Sequence, residues 1–225
     1  MLHASRYIMA LTFTFLLASP ILAQDCQASY LASKGVTIEI TEYDANDAQK
    51  SKKVYCVTDV QSSGQDVTSK VRSVTEQGGI VTEDKVFSYR CNQAGVEWGL
   101  GTEDPKTKKE IFMVYPANLS AGMELKPDIN YELSQKTPDG KHAKVIAKIN
   151  KRKVAGTEKV QVKAGTWECT KITYDFLLKI KVGILTLPIN AKVIEWYNPQ
   201  VGIVRSETWV KGKKENHTEI SMVQK

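Results

Sequence analysis

The feature that most constrains the fold of this chain is an alternation of period two that recurs from residue 36 to residue 223. Val36-Thr-Ile-Glu-Ile-Thr-Glu-Tyr43 sets Val36, Ile38 and Ile40 on one face, and Thr37, Glu39 and Thr41 on the other. A helix would need apolar residues every three to four positions, whereas a strand with one buried face needs this alternation. Lys53–Val60, Asp66–Thr75, two runs within Asp84–Leu100, His142–Ala155, Glu158–Lys163, Thr166–Phe176, Lys192–Tyr197, Gly202–Val210 and Glu215–Val223 repeat it. The breaks between runs carry turn chemistry: Asp44–Asn46, Asn92-Gln93-Ala94-Gly95, Thr137-Pro138-Asp139-Gly140, Ala164-Gly165 and Lys211-Gly212-Lys213. Strands joined in sequence by short polar turns make an antiparallel meander. The fold expected is all-β: a single strongly curved antiparallel sheet, an open half-barrel with little helix. The one helical candidate is Asp25–Ser33. Tyr115–Pro127, with two prolines and a glycine, reads as an irregular crossing between two halves of one sheet.

The first 23 residues do not share this pattern. Met1–Tyr7 carries Arg6 and no acid, Ile8–Leu17 is an apolar core of ten residues, and Pro20 and Ala23 precede Gln24-Asp25. This is the layout of a secretory signal peptide, and it is shorter than the roughly 20 apolar residues a spanning helix needs. Two segments are therefore expected: a signal peptide over 1–23 and a single β-rich domain over 24–225. The mature protein is expected to be periplasmic or secreted. A lipid anchor on Cys26 is excluded, because lipid-modified cysteines follow a small residue and Asp25 stands there. The longest later apolar run, Val182–Ile189, is broken by Gly183 and Pro188, so no transmembrane span is expected.

Removing Met1–Ala23 and its one cation, Arg6, takes a 225-residue chain at +6 to 202 residues at +5. The excess lysine is spread over nearly every strand. No basic cluster is interleaved with aromatics, so nucleic acid is excluded as a partner. The densest run, Lys148–Lys153 (KINKRK), alternates with apolar residues and reads as a solvated strand face. His142 and His217 read as exposed strand histidines without ligand-spaced companions. Glu39, Glu42, Asp44, Glu195 and Glu207 read as polar strand faces. No HExxH, GxSxG, P-loop or GxGxxG motif occurs. No catalytic residue, metal ligand or cofactor is expected, and the chain reads as a non-enzyme.

Four cysteines remain in the exported part: Cys26, Cys56, Cys91 and Cys169. An even count in an oxidising compartment allows two disulfides in three connectivities. At least one is expected. Cys56–Cys91 is the favoured pair, since both lie in strands of the first meander.

Trp98, Trp167, Trp196, Tyr197 and Trp209 all lie on strand-like segments. They either pack between layers or line a hydrophobic cavity. Leu177–Ile189 (LLKIKVGILTLPI) is the most apolar stretch of the mature chain and bends near Gly183. It reads as a lip facing a ligand or partner, or as a strand buried on both faces. The candidate ligand-binding residues are Leu177, Ile184, Leu185, Leu187, Trp196 and Trp209.

Three C-terminal segments carry a resemblance. Lys159–Tyr174 reads KVQVKAGTWECTKITY, Glu195–Trp209 reads EWYNPQVGIVRSETW, and Lys211-Gly212-Lys213 follows. Together they resemble exported proteins of Gram-negative, Bacteroidetes-type bacteria labelled TapB-like or as a domain of unknown function. Tyr115–Leu125 is similar to that family's P-x-x-L-x-x-G-x-x-L segment, and Asp25-Cys26 to its mature start. The family pattern has cysteines at Cys26, Cys91 and Cys169, and Cys56 is an addition. The resemblance implies the open β-half-barrel of lipoprotein carriers, with a concave apolar face and no catalytic residues. The expected partner is accordingly a lipid or other hydrophobic ligand, or an envelope protein. The alternative is a purely structural or protein-interaction module with a filled core, and the third reading is an unrecognised hydrolase.

Overall fold

The computed structural model describes residues 25–104, 107–136, 142–182 and 185–225. The segment read as a signal peptide lies outside them. The described chain opens with two single-turn 3-10 helices, Cys26–Ala28 and Tyr30–Ala32, where Asp25–Ser33 is the helical candidate. Asp25 caps the first by accepting from the amides of Gln27 and Ala28, and Ser29 caps the second through Leu31 N. Thirteen strands follow: β1 (Thr37–Asp44), β2 (Gln49–Ser63), β3 (Asp66–Gln77), β4 (Ile80–Asn92), β5 (Gly95–Glu103), β6 (Glu110–Pro116), β7 (Glu124–Leu125), β8 (Ile129–Lys136), β9 (His142–Val162), β10 (Gly165–Val182), β11 (Leu185–Asn198), β12 (Gly202–Val210) and β13 (Lys213–Gln224).

All pairings are antiparallel and make one sheet, in the order β6-β5-β4-β3-β2-β1-β13-β12-β11-β10-β9-β7, with β8 also on β9. Two meanders, β1–β6 and β8–β13, are thus joined where the first strand pairs with the last. The sheet curls into a nearly closed barrel. Its seam falls mid-chain, between β6 and β7–β8, where residues 117–128 cross from one meander to the other. The sequence expected such a crossing there. Closing a sheet removes exposed edges, and here the remaining edges face each other across the seam.

The antiparallel order puts the two sets of turns at opposite ends of the barrel. At one end the 3-10 turns form a cap. Tyr30 N donates to Gln200 O at 2.8 Å, Ser69 Oγ to Leu31 O at 2.5 Å and Tyr89 Oη to Ser29 Oγ at 3.0 Å. Leu31 fills the end of the core. The Cys26–Cys91 disulfide fixes this cap to β4. The expected Cys56–Cys91 pair does not form. Register explains why: Cys56 on β2 faces Arg72 of β3, Cys91 on β4 faces Val67 of β3, and β3 stands between them. Cys56 and Cys169 are free thiols.

The core gathers beneath the cap. Trp98 stacks on Phe87 at 5.4 Å and meets the edge of Tyr89 at 6.2 Å, with Tyr55 tilted beside it at 5.7 Å. Gly202, at φ +89°, lies under the Trp98 ring, where a Cβ would stand 2.6 Å from Trp98 Cζ3. At the other end the barrel is open. Four strands there extend beyond it as a lip: β8, the first half of β9, the end of β10 and the start of β11. Among the described residues no helix is long and apolar enough to cross a membrane.

Candidate functional site

Paired residues on neighbouring strands share a face, so register tells which side chains enter the barrel. On β1 and β2 the pairs Ile38–Tyr55, Ile40–Lys53 and Glu42–Ser51 face inward. Glu42 also pairs with Thr218 of β13, and Thr218 with Ser206 of β12. These residues, with Trp98, Val201 and Ile203, line a partly enclosed cavity of about 220 Å3. Its wall is apolar towards the cap and polar towards the open end. Ser206 and Thr218 hydroxyls hydrogen-bond at 2.8 Å, and Glu42 accepts from Ser51 Oγ at 2.7 Å and from Asn216 Nδ2 at 3.1 Å. Lys53 stands at the polar end, and burial pulls its ammonium below the usual lysine range, with the Glu83 carboxylate opposing.

A second inward cluster sits at the seam. Arg152 of β9 is 1% exposed; its Nη1 donates to Val114 O of β6 at 2.9 Å, and the guanidinium lies 4.9 Å from the Tyr115 ring centre. Among the described residues its Nε and Nη2 have no hydrogen-bond partner. Glu195 of β11 is 3% exposed and accepts from Tyr174 Oη at 2.6 Å and Tyr115 Oη at 3.2 Å. Burial raises its carboxyl above the usual range, while the Tyr174 hydrogen bond and the Arg152 charge act the other way. Tyr115 stacks on Tyr197 at 4.1 Å, which ties β6 to β11 through the interior. Three sequence expectations are corrected here. Arg152 and Glu195 are buried in the interior rather than solvated. His217 is 7% exposed and stacked on Tyr43 at 4.9 Å, on the opposite face.

The five candidate ligand-binding residues that are described do not form one surface. Leu177 pairs with Lys148 and Asn190, on the outward face. Leu178 and Ile180 pair with Ile189 and Leu187, on the face continuous with the interior. Leu185 and Leu187 stand on the lip, 67% and 62% exposed. Ile184 lies outside the described residues. Trp196 faces outward and is nearly covered: Lys171 and Arg205 lie over its ring at 5.1 and 5.6 Å, and its Nε1 donates to the Glu158 carboxylate. Trp209, whose Nε1 donates to Glu207 at 3.2 Å, shares with Leu177 an open groove of about 870 Å3. Asp175, Lys192 and Lys211 also border it. The structure therefore brings Leu177 together with Trp209, and Leu185 with Leu187, and leaves Trp196 apart.

Of these interior residues the sequence marked Trp98 and Tyr197 as packed between layers or lining a cavity, read Glu42, Glu195 and Arg152 as polar strand faces, and did not single out Lys53. Lys53, Glu42, Arg152 and Glu195 all occupy inward positions of alternating strands, and a charge there has the same signature as one on a solvated face shifted by one residue. Among the described residues no group of three or more His, Cys, Asp or Glu side chains could hold a metal ion.

The barrel has counterparts among solved structures. One is a protein from Bacteroides fragilis NCTC 9343, described as exported and of YmcC-like fold. It is 20% identical, with a TM-score of 0.71, over 86% of this chain and 97% of that one. Another, described as a lipoprotein, is from Parabacteroides distasonis ATCC 8503. It is 19% identical, with a TM-score of 0.71, over 86% of this chain and 96% of that one. At this identity they establish the fold alone. No curated protein matches the chain. A family model covers residues 33–219, from the end of the second 3-10 turn into β13, and by that match the chain belongs to the DUF3108-like family.

Proposed function

We propose that this chain is a non-catalytic exported envelope protein that binds a hydrophobic or amphiphilic ligand inside its curved sheet. The observation that carries the reading is the cavity beneath β1, β2, β12 and β13. Ile38, Ile40, Tyr55, Trp98 and Ile203 give it an apolar wall, and it runs from the core beneath the cap towards the polar residues Glu42, Ser51, Ser206 and Thr218. Ligand sites combine such a wall with a few polar groups that fix orientation, and Glu42, Ser51, Lys53, Ser206 and Thr218 are those groups here. The exported and lipoprotein descriptions of the two structural relatives support an envelope location.

The test uses N-phenyl-1-naphthylamine, a neutral apolar dye that brightens on leaving water. Saturable binding to the wild-type protein, lost on filling the cavity by Ile40→Trp, is the expected result. Native mass spectrometry of protein isolated from its own envelope should also show a bound small molecule. Absence of saturable binding, or equal binding by the filled variant, would overturn the reading. A filled-core interaction module would then stand in its place, and the Trp98–Phe87–Tyr89 and Tyr115–Tyr197 packing favours that alternative.

A further inference from the structure

The lip on β8–β11 has two chemically different faces. On the face continuous with the barrel interior, Ile180 and Leu187 pair, as do Leu178 and Ile189. Leu185, Leu187 and Ile189 are 67%, 62% and 41% exposed, so among the described residues nothing covers them. On the reverse face, Lys181 pairs with Lys144, and Lys148 with Leu177, while Lys179 lies between them. Glu132 joins Lys144 at 2.6 Å. Among the described residues Lys148, Lys179 and Lys181 form no ion pair. Exposed leucines are unfavourable in water, and unpaired lysines one strand-thickness behind them repel one another. One surrounding relieves both: an acyl phase for the leucines with anionic headgroups just above it, within reach of the lysine stems.

We propose that this lip docks on a bilayer surface bearing anionic headgroups through Leu185 and Leu187 on one face and Lys179 and Lys181 on the other. Strands rise about 3.4 Å per residue, so Leu187 stands within roughly 10 Å of Val182 and Leu185, where the described parts of β10 and β11 end. Amphipathic elements at a membrane interface bury their apolar groups to about 5–10 Å. Lys179 and Lys181, opposite Pro188 and Thr186, stand at the height of the leucines and reach phosphate by extending their stems outward. The cap and its disulfide lie at the far end of the barrel, away from the membrane. The proposal is independent of whether the cavity holds a ligand.

The experiment is flotation of the protein with vesicles of phosphatidylcholine alone or mixed equally with phosphatidylglycerol, at low and high salt. Wild type should float with the anionic vesicles at low salt and be released at high salt. Lys179→Gln/Lys181→Gln should weaken binding about fivefold per lysine, as expected for juxtamembrane cations. Leu185→Ser/Leu187→Ser should weaken it roughly tenfold per leucine. Both pairs of side chains lie at the surface of the lip, and circular dichroism of each variant shows that it is folded. Binding that neither variant weakens, or no binding to either vesicle, overturns the proposal. So does a dimer in light scattering that the leucine pair abolishes while vesicles fail to bind, because the lip would then be a contact between two copies.

Discussion

Replacing Cys26 and Cys91 together by alanine should destabilise the domain by about 4 kcal/mol. The bridge closes a loop across a sequence separation of 65. In the chain-entropy model, a loop of that length lowers the entropy of the unfolded chain by about 14–15 cal/mol/K, or about 4.3 kcal/mol at 25 °C. The packing of the two sulfurs, absent in the variant, adds to this, since Cys26 and Cys91 are 0% and 2% exposed. Alanine is chosen over serine so that no buried hydroxyl is left seeking a partner. The cap itself should stay in place. The hydrogen bonds from Tyr30 N, Ser69 Oγ and Tyr89 Oη do not depend on the bridge, and Leu31 remains seated at 1% exposure. The variant should therefore be folded, with a lower urea midpoint and a Tm reduced by roughly 8–16 °C for a domain of this size. Urea unfolding of the variant and the oxidised wild type at one temperature gives the difference directly. A loss below about 1 kcal/mol would refute the reasoning, as would peptide mapping that joins Cys91 to Cys56.

Gly202→Ala should cost about 2–4 kcal/mol by overpacking and by placing a Cβ at φ +89°, with the new methyl driven into Trp98; near-native chemical unfolding would contradict this. The Cys169 thiol is 1% exposed and pushed up to about 12 by burial, so it should resist iodoacetamide in the folded protein and react only on unfolding. Glu195 has a folded pKa raised by burial, so the contribution of its carboxyl to stability is complete below the ordinary Glu value and is lost as pH rises towards the folded one. Glu195→Gln should therefore gain on wild type as pH increases from about 4; a stability difference that is flat with pH, or of opposite slope, would show that the carboxylate is not desolvated.

The fold was legible because strand pairing reads the same quantity that the sequence displays. Val36, Ile38 and Ile40 alternate because one face of β1 meets the core, and Ala164-Gly165 and Lys211-Gly212 supply the bends that β9–β10 and β12–β13 use. The bend expected near Gly183 lies outside the described residues, between the end of β10 at Val182 and the start of β11 at Leu185. Element lengths were less legible. His142–Ala155 and Glu158–Lys163 read as two strands, yet they are one strand of 21 residues, β9. Its irregular register opposite Lys171/Ile172 and Thr173/Asp175 interrupts the alternation without ending the ladder. The mid-chain crossing was read from its prolines and glycine, but the pairing of β1 with β13 that joins the two meanders has no local signal.

The site was legible only where apolarity marked it. Leu185 and Leu187 stood out, and their exposure is real, but their neighbour Leu177 belongs to the other face because the side-chain period is exact. Charged residues failed for a related reason. Alternation tells that Glu195 and Arg152 lie on one face of their strands and cannot tell whether that face closes over them. Closure is a property of the whole sheet. It is Tyr115, brought in from β6 across the seam, that puts a hydroxyl against Glu195 and a ring beneath Arg152. A carboxylate with two tyrosine donors can be held inside a barrel, whereas the same carboxylate on an open half-barrel would face water. Curvature and buried charge therefore depend on each other here. The sheet must close nearly completely for Glu195 to need its partners, and those partners come from the strand that closes it.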